Sequence, residues 1–139
     1  MLKTPRLSFQ AILSGVAADT IGTLIVATML FAAMAAAGIR EDEIAARIRG
    51  TSGLMLMLII GLGFTLLGGY IAGRTAGQSE ALHGVLVAGI GLVLGLVFRE
   101  PGLPLWYETV SLAAMLPAGI AGGYLARENN RNRAATGTQ

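Results

Sequence analysis

Apolar residues fall along this 139-residue chain in four long runs, over about residues 8–39, 53–72, 81–98 and 106–126. They do not follow the alternating or 3.6-residue patterns that leave one face of an element polar. A hydrocarbon core about 30 Å thick takes about 20 residues of helix to cross, and each run is close to or above that length. Lipid offers no partner to a free amide or carbonyl, so each run is predicted to be a helix; the runs are too uniformly apolar for the strands of a barrel. The expected fold class is all-α: an integral membrane four-helix bundle forming one domain over residues 1–128. The first run is longer than a membrane requires and should tilt, or project its Ala-rich end from Phe31 to Ala37. That length, and Asp19 within it, argue against a cleaved signal segment.

Between the first two runs, residues 40–52 place Ile44 and Ile48 four apart, with Glu43 and Arg47 at the same spacing. This suits a short helix on the membrane surface, or equally a solvated loop. Residues 129–139 are polar and poor in apolar side chains, and are expected to form a disordered cytoplasmic tail.

The runs carry an internal repeat. At an offset of 69, Gly84, Val85, Ile90 and Gly91 fall on Gly15, Val16, Ile21 and Gly22; at an offset of 54, Gly122-Gly123-Tyr124-Leu125-Ala126 falls on Gly68-Gly69-Tyr70-Ile71-Ala72. Two helical hairpins of like topology, related by an approximate two-fold axis along the membrane normal, would give this pattern. At 100° per residue, Gly15, Ala18, Asp19 and Gly22 share one sector of the first helix, as do Gly84, Ala88, Gly91 and Gly95 in the third. Membrane helices associate through close backbone approach at small residues, so these sectors are expected to be packing seams. The pairs Gly69/Gly73, Gly91/Gly95, Ala118/Gly122 and Gly119/Gly123 extend them.

Composition narrows the function classes. Hydrophobic residues make up 54% and charged residues 13%, which excludes an ordinary soluble domain with its roughly 25% charge. The net charge is +2 without a basic stripe, so a nucleic-acid partner is not expected, and the absence of cysteine excludes disulfides and thiolate chemistry. With four spans both termini share a side. That side carries six basic residues, Lys3, Arg6, Arg74, Arg127, Arg131 and Arg133, against four opposite, Arg40, Arg47, Arg49 and Arg99, which predicts cytoplasmic termini. Trp106 and Tyr107 at one interface and Tyr70 and Tyr124 at the other suit an aromatic belt, and Arg6, Arg74 and Arg127 suit anionic lipid headgroups.

Few residues can carry chemistry. Asp19 sits near mid-bilayer, where a carboxylate costs at least about 2.5–3.5 kcal/mol, and its counterpart in the repeat is Ala88, so the scaffold does not demand an acid there. It is either a proton or cation site, or a protonated carboxyl bonded to Thr20, Thr23, Thr65 or a carbonyl, or a contact to a partner subunit. His83, at the start of the third helix, is either a gate or proton relay or an interfacial histidine satisfied by a loop carbonyl. Glu108 lies near water at the end of its span, and Pro117 frees the carbonyl of Ala113 and predicts a kink. No Ser/His/Asp triad, H-E-x-x-H or phosphate loop can be assembled, so no enzymatic activity, metal or cofactor is expected.

The run Gly68-Gly69-Tyr70-Ile71-Ala72-Gly73-Arg74, followed by His83-Gly84, resembles the G-G-x-x-A-G-R and H-G elements of a family of small four-helix prokaryotic membrane proteins of unknown function. The resemblance implies a four-helix bundle in a prokaryotic inner membrane and carries no activity with it; Asp19 lies outside the matched elements. Two functions fit the residues. The first is a protein acting through helix contacts, with the bilayer and itself or another membrane protein as partners, as a homo-oligomer or the accessory subunit of a complex. The other is a small channel or proton-coupled carrier using Asp19.

Overall fold

The computed structural model describes residues 7–136. They form five helices: α1 (Phe9–Ala36), α2 (Glu41–Arg49), α3 (Thr51–Ala76), α4 (Glu80–Val97) and α5 (Leu105–Thr136). All but α2 are long and apolar enough to cross a membrane. The exterior of the bundle agrees: Met29 is 65% exposed and Ile59 69%, a surface suited to lipid rather than water. The buried residues are mostly small, among them Ala11, Ala72, Ala88 and Ala126, because these helices meet backbone to backbone.

Local chemistry sets the helix ends. Ser8 caps α1, its hydroxyl accepting from the Ala11 amide. Gly77 ends α3 in the left-handed conformation at φ 63°, which glycine adopts without a Cβ penalty. In α2 the first turn holds Glu41, Asp42 and Glu43 and the last holds Arg47 and Arg49, matching the helix dipole. Of the two readings of residues 40–52, helix and loop, the structure has the helix. Arg47 pairs with Glu43 at 2.7 Å, and fully buried Ile44 anchors α2 to the bundle.

Helix α3 is central, touching all the others; α4 also contacts α1, α3 and α5, while α1 and α5 do not touch. A strict two-fold exchanging the hairpins would map the α3–α4 contact onto α1–α5. The first exists and the second does not, so the hairpins are not equivalent in their contacts.

One expectation is corrected. The chain after 128 is not a disordered tail as far as Thr136: α5 continues through it. Asn129 donates to the Tyr70 hydroxyl at 2.7 Å and Asn130 to Glu80 at 3.1 Å, fixing the extension against α3 and α4. Helix α5 runs on through Pro117, which lies on an exposed face.

Candidate functional site

The bundle packs tightly at one end and opens at the other. We call these the His83 face, where α3 ends and α4 begins, and the α2 face. Toward the His83 face the glycines leave no room for side chains. A Cβ on Gly15 would lie 2.6 Å from the Gly68 carbonyl oxygen and 2.8 Å from the Ala72 Cβ, and one on Gly68 would lie 2.6 Å from the Gly15 oxygen. Gly69 meets the Gly119 oxygen at 2.5 Å, Gly119 meets Gly84, Gly123 meets Glu80, Gly122 meets Leu66, and Gly73 meets Ala126 and Glu80. Toward the α2 face, a Cβ on Gly61 or Gly95 would meet nothing within 4 Å. Gly95 therefore departs from the packing seam expected of it: it lines a cavity. Gly22 and Gly91 lie between these regimes, the former against the Phe64 ring and the latter against Met115 and the Asp19 carboxylate.

The cavity holds about 480 Å³ between α1, α3, α4 and α5, within the range of small-molecule sites. Asp19, Thr65, Gly91 and Met115 line it at the end nearer the His83 face, and its walls include the exposed Thr20, Leu24, Gly95 and Leu96. Glu108 lies seven residues before Met115 on α5, so the cavity reaches about 10 Å toward the α2 face at 1.5 Å per residue. Its middle is mainly apolar, with Leu58, Leu62, Leu94 and Leu112, and Arg99, Glu100 and Glu108 line it at the α2 face.

Asp19 is 8% exposed and both of its oxygens lie 3.2–3.3 Å from the Thr65 hydroxyl. That hydroxyl is also 3.1 Å from the Gly61 carbonyl oxygen. It has one hydrogen for these acceptors. If Asp19 is ionised, Thr65 donates to it and releases Gly61. A protonated Asp19 can instead donate to Thr65, which then donates to Gly61. The site thus has two satisfied arrangements differing by one proton. No described titratable side chain touches the carboxylate: it faces Thr65 from α3, and Gly91 of α4 lies beside it. Thr23, and its neighbour Thr20, line the cavity on α1.

At the α2 face Arg99 makes a bidentate pair with Glu108. The hydrogen bonds and charge of Glu108 raise the Arg99 pKa further, so its exposed guanidinium stays charged. Arg49 of α2 pairs with Glu100, tying the surface helix to the α4–α5 loop.

His83 lies outside the cavity. It is fully buried; the Ser8 amide donates to Nε2 at 3.1 Å, which leaves the proton on Nδ1 to be donated to the Ser79 carbonyl at 3.0 Å. The side chain thus ties the start of α1 to α4. Trp106 stacks edge-on with Tyr107, while Tyr70 accepts from Asn129 as described above. Arg74, Arg127 and Tyr124 are exposed at the His83 end, and Arg6 lies outside the described residues.

Sequence reasoning found Asp19, Thr23 and Thr65 because polar groups within apolar spans stand out. It missed the α5 wall. Tyr107, Glu108, Ser111, Leu112 and Met115 recur at helical spacing on one side of α5, a stripe that could have marked it. No family model, curated protein or solved structure matches the chain.

Proposed function

We infer that the protein is a non-enzymatic, multi-pass membrane carrier in which Asp19 exchanges a proton for a small solute held in the cavity. The observation that carries this reading is the cavity of about 480 Å³ with a buried carboxylate at the end nearer the His83 face. A bundle built only for packing has no use for a space of that size against a group so costly to place in lipid. The two arrangements of Asp19, Thr65 and Gly61 give proton exchange a physical basis. The glycine and alanine seam beneath Asp19 closes the route to the His83 face, and helices meeting at such small residues can shear past one another.

A role based only on helix contacts, as a homo-oligomer or accessory subunit, draws its support from small-residue seams. Here most of these seams are used within one chain: Gly15, Gly69, Gly84, Gly119, Gly122 and Gly123 all meet the chain's own helices. That leaves the carrier reading better supported. The distribution of basic residues favours a cytoplasmic His83 face, and a prokaryotic inner membrane rests on the resemblance of the Gly68–Arg74 and His83-Gly84 elements.

The test uses the full chain in lipid vesicles loaded with the pH dye pyranine. Small cations, anions and neutral molecules are added outside one at a time. At least one is expected to change the internal pH through the parent and not through Asp19→Asn. Parent vesicles that match empty vesicles across the panel would contradict carriage.

A further inference from the structure

The chemistry of the cavity selects among solutes, on the reading above that it holds one. An anion would have to displace Glu108 from Arg99, the base among the cavity-lining residues, and share the cavity with the carboxylates of Asp19 and Glu100. A bare inorganic cation needs about six or more oxygen ligands, or must keep its water. The end nearer the His83 face offers the Asp19 carboxylate, the Thr65 hydroxyl and the Gly61 carbonyl, with the Thr20 and Thr23 hydroxyls on the cavity wall, and among the described residues no group of three or more His, Cys, Asp or Glu side chains is placed to hold a metal. The leucine walls are poor replacements for hydration water. An organic ammonium ion differs on both counts: its charge is weakly hydrated when substituted, and its apolar body gains from contact with Leu58, Leu62, Leu94 and Leu112. Asp19 supplies the single opposite charge at the depth the head would reach.

We propose that the cavity binds an amphiphilic organic monocation, its ammonium head against Asp19 and its apolar body along the leucine walls toward the α2 face. Binding then excludes a proton from Asp19 and protonation releases the cation, so one positive charge replaces another. No other described titratable group touches Asp19, and Arg99, Glu100 and Glu108 are separated from it by the length of the cavity.

The test is equilibrium dialysis of the full chain in nanodiscs, with empty nanodiscs subtracted. The probes are benzyltrimethylammonium, its neutral carbon isostere 2,2-dimethylpropylbenzene, and benzenesulfonate. The parent should bind the cation at least about tenfold more tightly than either of the others, Asp19→Asn should abolish that preference, and Gly95→Phe should weaken the cation and the isostere alike. Equal binding of cation and isostere by the parent overturns the proposal, as does a preference that survives in Asp19→Asn. Should Asp19→Asn lose its helicity, the parent alone decides: acidification that protonates Asp19 should weaken cation binding and spare the isostere, and pH-independent cation binding contradicts the proposal. If pyranine flux is driven by anions or neutral solutes while no cation preference is found, the ligand class falls and carriage stands. Cation selectivity with no flux for any solute leaves the ligand class in place and removes carriage.

Discussion

At the scale of single residues, the same amino acid does opposite jobs along this bundle. Gly15 sits where an added Cβ would lie 2.6 Å from a backbone oxygen, and Gly95 where it would meet nothing. We predict that Gly15→Ala destabilises the detergent-solubilised protein by about 1–3 kcal/mol, the usual cost of overpacking. Gly95→Ala should change stability by less than about 1 kcal/mol, since it adds helix propensity in open space. Denaturant titration followed by helical circular dichroism measures both, and an equal cost at the two positions would contradict the packing described. The sequence places both glycines in small-residue seams because spacing reveals which residues share a sector. Spacing does not reveal whether the facing helix approaches or splays at that level. Asp19, Thr23 and Thr65 were legible for the opposite reason: a polar group in an apolar run is conspicuous wherever the neighbouring helix lies. His83 does meet a carbonyl just ahead of its helix, that of Ser79, while its second bond, from the Ser8 amide 75 residues away, had no local signal. Removing it in His83→Ala leaves that amide without its partner. Hydrogen exchange at the start of α1 should then accelerate, and unchanged protection would show that the histidine does not hold α1.

At the scale of elements, four spans were readable because hydrophobic length is dictated by the bilayer, and α2 because its isoleucine and ion-pair spacings coincide. The far end of α5 was harder to read. Its extension to Thr136 is made of Arg, Asn and Glu residues whose composition suggests disorder, yet Asn129 and Asn130 are fastened to Tyr70 and Glu80. We expect Tyr70→Phe to increase hydrogen exchange near Asn129 while leaving the spans protected; no change there would show that the hydroxyl does not dock the extension. Helix α2 hangs on Ile44, the fully buried side chain on its inner face. Ile44→Ala should cost about 2–4 kcal/mol locally and make residues 40–50 more sensitive to limited proteolysis. The Glu43–Arg47 pair is exposed, and its loss should matter far less.

At the scale of the whole molecule, the two halves of this wedge differ: glycines meet backbone to backbone toward the His83 face, and toward the α2 face lies a cavity lined by Asp19, with the exposed Leu24 and Leu96 in its walls. The absence of contact between α1 and α5, which an exact two-fold would forbid given the contact of α3 with α4, leaves room for that cavity. The repeat in the sequence suggested symmetry, and the departure from it lies where Asp19 replaces the small residue of its counterpart position. Because the chain has no cysteine, the wedge can be probed directly with single cysteines introduced by mutation. In vesicles holding the full chain, a small membrane-impermeant methanethiosulfonate reagent added at the α2 face should label Ser111→Cys and Thr23→Cys in the cavity. It should fail to label Ala72→Cys and Ala88→Cys in the sealed half, and prior addition of benzyltrimethylammonium should slow the cavity labelling. Rapid labelling of the sealed positions, or no labelling of Ser111→Cys and Thr23→Cys, would contradict a one-sided cavity reaching Asp19.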